Sequence, residues 1–430
     1  MSSLQKTDRR RFLEVVAAGA GGAFLTRVEG VQAALTEGSR RVEGHLRMGF
    51  SRLSEEYLLS PDILYLNHAS IGTVPRVVHE AHAEFAALCE SNPWLYMWGG
   101  AWEAAREEVR EAAARLLGAP ATSVAITHNT TEGFNVLARG LPLGPGDEVV
   151  FTDLNHAGAS IPFETFSRER GYTVRRVPFP LDQAPTMTSA EVVEFHESAL
   201  TTRTRLLVLP HLDNMVGIRH PLPEITAMAR SRGVEFVAVD GAQSAGMIPM
   251  NLVESGVDFF SASPHKWIQS PKGLGLLYVR EDRIRELTPF WVTWGQERWS
   301  LSARRFEDYG TRNLPELLAL GEALHVQEDL DAAGKGPRYE EMHGAIRRMV
   351  EESPRIRWRS PDRYESGGSL YAIEVLDVDA AHAGRWLQET HGVMLRPFTG
   401  PELNFLRVSP NLMTTDSELT RFMGYLEQIP

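Results

Sequence analysis

The stretch Ser261-Ala262-Ser263-Pro264-His265-Lys266-Trp267, followed by Pro271-Lys272-Gly273-Leu274-Gly275, places a lysine where a predicted buried strand ends. Burial in an apolar domain lowers the pKa of a lysine and favours the neutral amine. A neutral amine attacks aldehydes, so Lys266 can form a covalent link to an aldehyde cofactor. Ser263 and His265 can donate hydrogen bonds to a phosphate. The alternative interpretation is a surface lysine after a Pro-His turn.

Short apolar runs alternate with helical stretches through the middle of the chain. Most runs are continuous rather than alternating, which is typical of strands buried on both faces of a mostly parallel sheet. The predicted fold class is therefore α/β, with helices covering a seven-stranded sheet. The seven runs are 123–127, 148–153, 173–179, 204–212, 235–240, 259–263 and 273–280.

Beyond about residue 310 the pattern changes, which predicts a smaller C-terminal α+β domain. We expect helices over 314–333, 339–352, 379–390 and 417–428, and strands near 369–376, 393–396 and 404–409. The chain then divides into a signal segment (1–33), an N-terminal segment (34–75), a large domain (76–305) and a small domain (306–430).

Composition is that of an ordinary globular protein, with 43% hydrophobic and 23% charged residues. The 44 basic and 56 acidic residues give a net charge of −12, which argues against a nucleic-acid partner. Cys89 is the only cysteine, so neither an internal disulfide nor a multi-thiolate metal site can form.

The N-terminus carries an export pattern. Asp8-Arg9-Arg10-Arg11-Phe12-Leu13 precedes an apolar run over 15–25 that is too short for a stable membrane anchor. The pattern resembles a twin-arginine signal cleaved after 31–33, although Asp8 and Glu14 stand where that signal usually has Ser or Thr and a Lys. We therefore expect the twin-arginine machinery to export the protein, to the periplasm or otherwise out of the cytoplasm. A basic, frayed terminus is the alternative.

A second chemical motif, Val237-Ala238-Val239-Asp240-Gly241-Ala242-Gln243, puts an acid at the carboxyl end of a strand, where open α/β sheets bind ligands. A buried carboxylate needs a partner, and a protonated pyridine nitrogen would supply one. Gln243 can donate to a ring oxygen. Capping of the following turn is the alternative role of Asp240.

A third motif, His128-Asn129-Thr130-Thr131-Glu132-Gly133-Phe134, follows the first strand and opens a helix. Free backbone donors and two hydroxyls at a helix N-terminus suit a phosphate. Simple N-capping by Thr130 or Thr131 would explain the motif nearly as well. There is no dinucleotide or Walker pattern here.

Together and in this order, the three motifs resemble the fold-type I pyridoxal-phosphate enzymes, specifically the class V aminotransferase family and its isopenicillin N epimerase-like branch. The resemblance covers roughly residues 60–415. Further matching positions are Tyr65-Leu66-Asn67-His68, His211, Asn214, Gly217, Tyr309-Gly310-Thr311-Arg312 and Leu406-Arg407-Val408-Ser409-Pro410.

The resemblance implies a pyridoxal 5′-phosphate cofactor in the large domain. Lys266 would carry it and transfer protons, and Asp240 would pair with the ring nitrogen. Hydrogen bonds to the ring hydroxyl oxygen are implied for Gln243 and Asn214. The implied phosphate ligands are Thr130, Thr131, Ser263 and His265.

Three more roles follow from the resemblance. His156 would lie over the cofactor ring, with a plain loop histidine as the alternative. Thr311 would reach the phosphate of a neighbouring subunit, which implies a homodimer with shared sites. Arg407 would bind the substrate α-carboxylate through its planar guanidinium, with a surface arginine as the alternative. Asp213 departs from the small residue that many relatives carry there.

The expected activity is transamination of an amino-acid or peptide-like amine, in the tailoring of a natural product. Epimerisation is the first alternative, although it needs a second acid that the sequence does not identify. A C–S lyase and a non-catalytic binding protein follow. A desulfurase with its own persulfide is disfavoured because Cys89 lies in an early helix rather than on a C-terminal loop.

Overall fold

The computed structural model describes residues 25–98, 100–293, 295–400 and 403–430. A seven-stranded sheet forms its centre, with strand order β2-β8-β7-β6-β5-β3-β4. Every neighbouring pair is parallel except those made by β8, which runs antiparallel to β2 and β7. The strands are β2 (Val124–Thr127), β3 (Glu148–Thr152), β4 (Thr173–Val177), β5 (Thr204–Pro210), β6 (Phe236–Asp240), β7 (Phe259–Ala262) and β8 (Gly275–Val279).

The apolar runs form these strands because helices cover both faces of the sheet. All residues of β2, β3, β6, β7 and β8 are buried, whereas the edge strand β4 is partly exposed and carries two arginines. The predicted α/β class and the mostly parallel sheet are confirmed. The helices before and between the strands are α1 (Leu25–Arg47), α2 (Arg76–Ser91), α3 (Glu103–Leu117), α4 (Thr130–Gly140), α5 (Ala157–Arg170), α6 (Ser189–Ala199), α7 (Leu222–Ser231) and α8 (Leu252–Ser255).

The C-terminal part is built on a four-stranded antiparallel sheet of order β12-β13-β10-β9. These strands are β9 (Ile356–Trp358), β10 (Tyr371–Val375), β12 (Arg396–Gly400) and β13 (Leu403–Val408). A short helix, α9 (Gly295–Arg298), precedes this part, whose own helices are α10 (Leu314–Ala332), α11 (Lys335–Glu351), α12 (Ala380–His391) and α13 (Asp416–Leu426). The α+β prediction is confirmed, while the boundaries at 75/76 and 305/306 stay predictions.

The strand expected over 393–396 is wrong as a single element. Residues Val393–Met394 form β11, which pairs in parallel with β1 (Leu64–Tyr65), whereas Arg396 begins β12 and pairs with β13. The two pairings divide the apolar run because each half meets a different partner. The N-terminal segment is thereby tied to the C-terminal domain.

The predicted signal motif at 8–13 lies outside the described residues. Helix α1 begins at Leu25 and continues through 31–33, the predicted cleavage site. Within the described ranges, no helix has the length and apolar character needed to cross a bilayer.

Candidate active site

A cavity of about 300 Å³ opens where the parallel strands end. Asp240 is the last residue of β6, Ser263 directly follows β7, and Thr130 begins α4. Because the carboxyl ends of parallel strands meet at one edge of a sheet, these distant motifs converge. The predicted residues that line the cavity are Thr130, Thr131, His156, Asn214, Asp240, Gln243, Ser263, His265 and Lys266.

Lys266 is the amine of this cavity. Burial lowers its pKa to about 8; the Asp240 carboxylate raises the pKa, and Arg407 and Arg396 lower it. The backbone beside it is held by Gly72, whose N–H donates to the His265 carbonyl over 2.8 Å. A Cβ on Gly72 would lie 2.2 Å from the Lys266 carbonyl oxygen, so only glycine fits there. The surface-lysine interpretation is therefore wrong.

Asp240 is a buried carboxylate that lines the same cavity. Its Oδ1 accepts a hydrogen bond of 2.9 Å from Ala242 N, which is the predicted turn cap. Burial raises its pKa, while Ala242, Lys266 and His156 lower it. No side chain within the described ranges donates a hydrogen bond to this carboxylate, so a cationic ring nitrogen would complete its surroundings.

The N-terminus of α4 provides the phosphate end of the cavity. Ser263 Oγ lies 2.9 Å from Thr130 N and 2.7 Å from Thr130 Oγ1. The N-cap is Asn129 rather than either threonine, since Asn129 Oδ1 accepts from Glu132 N over 2.9 Å. The two threonine hydroxyls are thus not used as caps. Together with the helix dipole, these donors suit an anion.

Burial lowers the pKa of both His265 and His156 at this site, which favours their neutral forms. Burial lowers the pKa of His265 to about 4, and its Nδ1 has no hydrogen-bond partner among the described residues. His156 is the N-cap of α5, because its Nδ1 accepts from Gly158 N over 3.1 Å. The ring proton of His156 therefore resides on Nε2. Desolvation lowers the His156 pKa as well.

Gln243 and Asn214 are oriented by their neighbours. Gln243 Oε1 accepts from Trp267 Nε1 over 2.9 Å, and Nε2 donates to Ala69 O over 2.9 Å. One amide proton of Gln243 remains for a ligand. Asn214 lies in a tight turn that Asp213 stabilises. The Asp213 carboxylate accepts hydrogen bonds from the backbone N–H groups of residues 215, 216 and 218, which explains why an acid occupies this position.

Arg407 lies beside the cavity rather than at the surface, so the surface-arginine alternative is wrong. It is 1% exposed and donates to Asn214 O over 3.0 Å, Asn67 Oδ1 over 3.1 Å and Ser70 Oγ over 2.5 Å. Desolvation, then the neighbouring Arg396, lowers its pKa to about 9. Ser70 itself lines the cavity.

Two residues of this site, Arg396 and Ser70, were not predicted from the sequence. Arg396 pairs across strands with Arg407 and is exposed, and its charge lowers the pKa of Lys266. Ser70 connects Arg407 to the cavity. An arginine that opens a short strand carries no sequence signal of its own, because its position depends on the register between β12 and β13.

Thr311 is the one predicted residue that the chain does not bring to Lys266. It is exposed and lines a second cavity with Arg312 and Tyr96. Its predicted role was toward a neighbouring subunit, so its position outside the Lys266 cavity agrees with that role without testing it.

Comparison with known proteins gives the class. The family model described as aminotransferase class-V matches residues 64–416, so the chain belongs to that family. Isopenicillin N epimerase from Streptomyces clavuligerus is 29% identical, with 86% of this chain and 96% of the relative covered. A probable cysteine desulfurase from Mycolicibacterium paratuberculosis is 31% identical over 71% of this chain and 45% of the relative.

Solved structures share the fold. A C-DES mutant with glycine covalently linked to its PLP cofactor has a TM-score of 0.77 at 24% identity, covering 87% of this chain and 99% of that one. The cysteine desulfurase CsdA from Escherichia coli has a TM-score of 0.74 at 24% identity, covering 88% and 98%. The chain therefore has the fold of the fold-type I pyridoxal-phosphate enzymes.

Pyridoxal phosphate is the expected cofactor, and the donor set of the cavity fits it. Lys266 would bind the aldehyde, Asp240 would pair with the ring nitrogen, and the N-terminus of α4 with Ser263 would hold the phosphate. The unpartnered Nδ1 of His265 is a further polar atom for which the cofactor could provide a partner.

Proposed function

We propose that the protein is an aminotransferase that acts on the amine of an amino-acid or peptide-like substrate. The observation that carries this proposal is that Lys266 and Asp240 line one cavity. The charge of Asp240 raises the pKa of Lys266, and the charge of Lys266 lowers the pKa of Asp240. Pyridoxal phosphate, when bound, supplies an aldehyde for the amine and a ring that withdraws electrons from the amine-bearing carbon. The chain's own residues then decide what happens to the proton.

Lys266 is suited to move that proton in both directions. With its pKa lowered to about 8, roughly a tenth of the amine is neutral at pH 7, and this neutral fraction can act as a base. Once protonated, it becomes the acid for the return step. Asp240 would pair with the ring nitrogen of the cofactor, and Arg407 would bind the α-carboxylate of the substrate.

The hydrogen bonding of His156 favours transamination over epimerisation. Its Nδ1 is occupied by Gly158 N, and its lowered pKa leaves only a weakly acidic Nε2–H. Epimerisation needs a second acid on the opposite face of the substrate carbon, and His156 is poorly suited to provide it. A single base, Lys266, is sufficient for transamination.

Epimerisation remains the second candidate because of the comparisons. Two isopenicillin N epimerases align over 96% and 97% of their own lengths.

C–S lyase chemistry is the third candidate, and it would have to proceed without a protein thiol. Cys89 is buried in α2, and burial raises its pKa, so it is not an activated nucleophile. Retention of Lys266, Asp240 and Arg407 in one place argues against a non-catalytic binding protein.

The proposal includes a homodimer and export through the twin-arginine pathway. Trp98 is 58% exposed and lines the same cavity as Thr311, and Trp94, in the same helical segment, is 76% exposed, which supports a covering partner at this surface. Export would place the enzyme in the periplasm, where a peptide amine of a secreted natural product is a fitting substrate. Comparison of periplasmic and cytoplasmic fractions, with Arg9 and Arg10 both changed to Lys as control, tests the export.

The enzyme proposal is tested by cofactor chemistry. Purified protein should be yellow, and borohydride should fix the cofactor to Lys266, as read by peptide mass spectrometry. Lys266→Ala should abolish that adduct, whereas Lys272→Arg, at an exposed lysine nearby, should retain it. A colourless protein that takes up no pyridoxal phosphate would refute the proposal.

The choice among reactions is tested by incubating candidate amines in deuterated water. Accumulation of the pyridoxamine form supports transamination. Inversion with deuterium at the α-carbon would instead identify an epimerase, and release of pyruvate from a β-substituted amino acid would identify a lyase. Each of these last two results contradicts transamination as the main reaction.

A further inference from the structure

A second cavity, which we call the Thr311 cavity, lies apart from Lys266. Its volume is about 270 Å³, and it is bordered by the segment Trp94–Trp98, by the start of α3 and by residues around Thr311. Its wall combines aromatic rings with guanidinium groups. The aromatic members are Tyr96, Trp98, Trp102 and Trp299.

Several buried donors of this wall, including one nitrogen of Arg312, have no hydrogen-bond acceptor among the described residues. Tyr96 and Trp102 are each 1% exposed, their ring centroids are 4.8 Å apart, and neither Tyr96 Oη nor Trp102 Nε1 has a hydrogen-bond partner among the described residues. Arg312 Nη1 also makes no hydrogen bond, its ion-pair contact with Glu307 Oε1 being 3.8 Å. Buried donors without partners are costly, so an acceptor is missing here.

The cavity's own glutamates do not provide that acceptor. Glu307 binds both terminal nitrogens of Arg110 at 2.7 Å and accepts from Ile126 N at 2.6 Å. Glu103 accepts from Arg304 over 2.6 Å and from Arg106 over 3.4 Å. Four arginines face three acids in the lining, which leaves a formal excess of one positive charge: Arg106, Arg298, Arg304 and Arg312 against Glu103, Glu307 and Asp308.

The geometry points to a carboxylate-binding site in the Thr311 cavity, in which Tyr96, Trp102 and Arg312 donate to the oxygens of a bound carboxylate. A carboxylate offers about four acceptor positions and no donor, which matches the unpaired donors and the positive charge. The volume admits a short aliphatic chain that ends in this group and packs against Trp98 and Trp299.

The carboxylate has two possible sources, a free small acid and the distal end of the amine substrate. The second source rests on the proposed function, because Thr311 would then stand at the Lys266 site of a second copy. A substrate amine held there could extend its far end into this cavity. The substrate class would be an amino acid or peptide with a second carboxylate beyond the α-carboxylate.

Calorimetric titration of the purified holoenzyme with glutarate tests the site itself. We expect wild-type protein to bind glutarate and expect Tyr96→Phe and Trp102→Phe to weaken binding about tenfold each, the loss typical of one hydrogen bond to a charged group. Because the Tyr96 hydroxyl is unpaired without ligand, Tyr96→Phe should not lower the melting temperature. Tyr172→Phe removes a buried hydroxyl that bonds Phe163 O elsewhere, and it should bind glutarate as wild type does.

Matched amines identify the source. Two pairs of amino acids are compared: L-glutamate with L-norvaline, and L-2-aminoadipate with L-norleucine. The members of each pair differ only in the terminal carboxylate, and the apparent Kd of each compound is read from the cofactor absorbance. If Tyr96→Phe removes the preference for the diacids, the carboxylate belongs to the substrate. If it weakens glutarate alone, the ligand is a free acid. The carboxylate site is refuted if Tyr96→Phe and Trp102→Phe both bind glutarate as wild type does, or if wild type does not bind glutarate. The proposed function is refuted separately if wild type takes up no pyridoxal phosphate.

Discussion

Tyr57 donates a hydrogen bond of 2.5 Å to Oε1 of Gln269, three residues beyond Lys266 in the chain. Gln269 has a left-handed backbone, with φ of 63°, and its Nε2 donates to Asn411 Oδ1 over 3.0 Å. The N-terminal segment, the Lys266 loop and the C-terminal domain thus meet at one buried amide, which fixes the loop from behind.

Tyr57→Phe should destabilise the protein by about 1–2 kcal/mol, because the buried Gln269 oxygen loses its donor. Urea unfolding followed by tryptophan fluorescence measures this change. The matched control is Tyr96→Phe, where the deleted hydroxyl has no hydrogen-bond partner among the described residues. Equal stability of the two variants would contradict the role of the Tyr57 hydrogen bond.

Arg110→Met should cost about 3–5 kcal/mol, because it leaves the buried Glu307 carboxylate without its main cation. Arg47→Met, at an exposed pair with Glu43, should cost less than about 1 kcal/mol. Both values come from chemical denaturation at neutral pH. An Arg110 variant as stable as the Arg47 variant would show that the buried pair contributes little.

The ion pair between Glu307 and Arg110 also predicts a loss of folding stability at low pH. The pKa of Glu307 is lowered to about 2, since the Arg110 charge and hydrogen bonds outweigh its desolvation. Its contribution to stability is therefore present above about pH 4.5 and is lost as the pH falls toward 2. Wild type should lose stability across this range more steeply than Glu307→Gln, which has no charge to titrate there.

His196 and His220 predict a second loss at milder acidity. Both are fully buried, their ring centroids are 5.1 Å apart, and none of their four nitrogens has a hydrogen-bond partner within the described part of the chain. Burial lowers the His196 pKa to about 4 and that of His220 well below its usual value.

Stability from these neutral rings is present above about pH 6.5 and declines as the pH falls toward 4, and the His196 part of the loss is about 2 kcal/mol at pH 5. Melting temperatures of wild type and His196→Leu between pH 7.5 and 5 measure this decline. The variant should show a shallower dependence. His382→Leu, at a surface helix position, should follow wild type, and parallel curves for all three would refute the assignment.

Arg407→Gln should raise the KM for amines that carry an α-carboxylate by about tenfold to a hundredfold, the range for one or two charged hydrogen bonds. Amines without that carboxylate should be affected much less. Arg396→Gln is the comparison, since its guanidinium is exposed across the strand from Arg407. Equal losses for both amine classes would indicate a structural rather than a carboxylate-binding role.

The sequence predicted the parts of the molecule that local patterns govern. The sheet was recognisable because its strands are continuous apolar runs, and the Lys266 and Asp240 motifs were recognisable because each follows such a run. Arg396 was missed because strand register, not composition, places it beside Arg407. The Tyr57–Gln269 bond joins positions 212 residues apart, and no local signal reports such a contact.

The wall of the Lys266 pocket is assembled from both ends of the polypeptide. Ala69 N donates to Ser409 Oγ, 340 residues away, and β1 is completed by β11. A nascent chain that ends before β13 lacks Arg407, whose guanidinium donates hydrogen bonds to Asn67 and Ser70. Capture of the vitamin-derived coenzyme is accordingly coupled to the end of translation, and truncated products should emerge from the ribosome colourless.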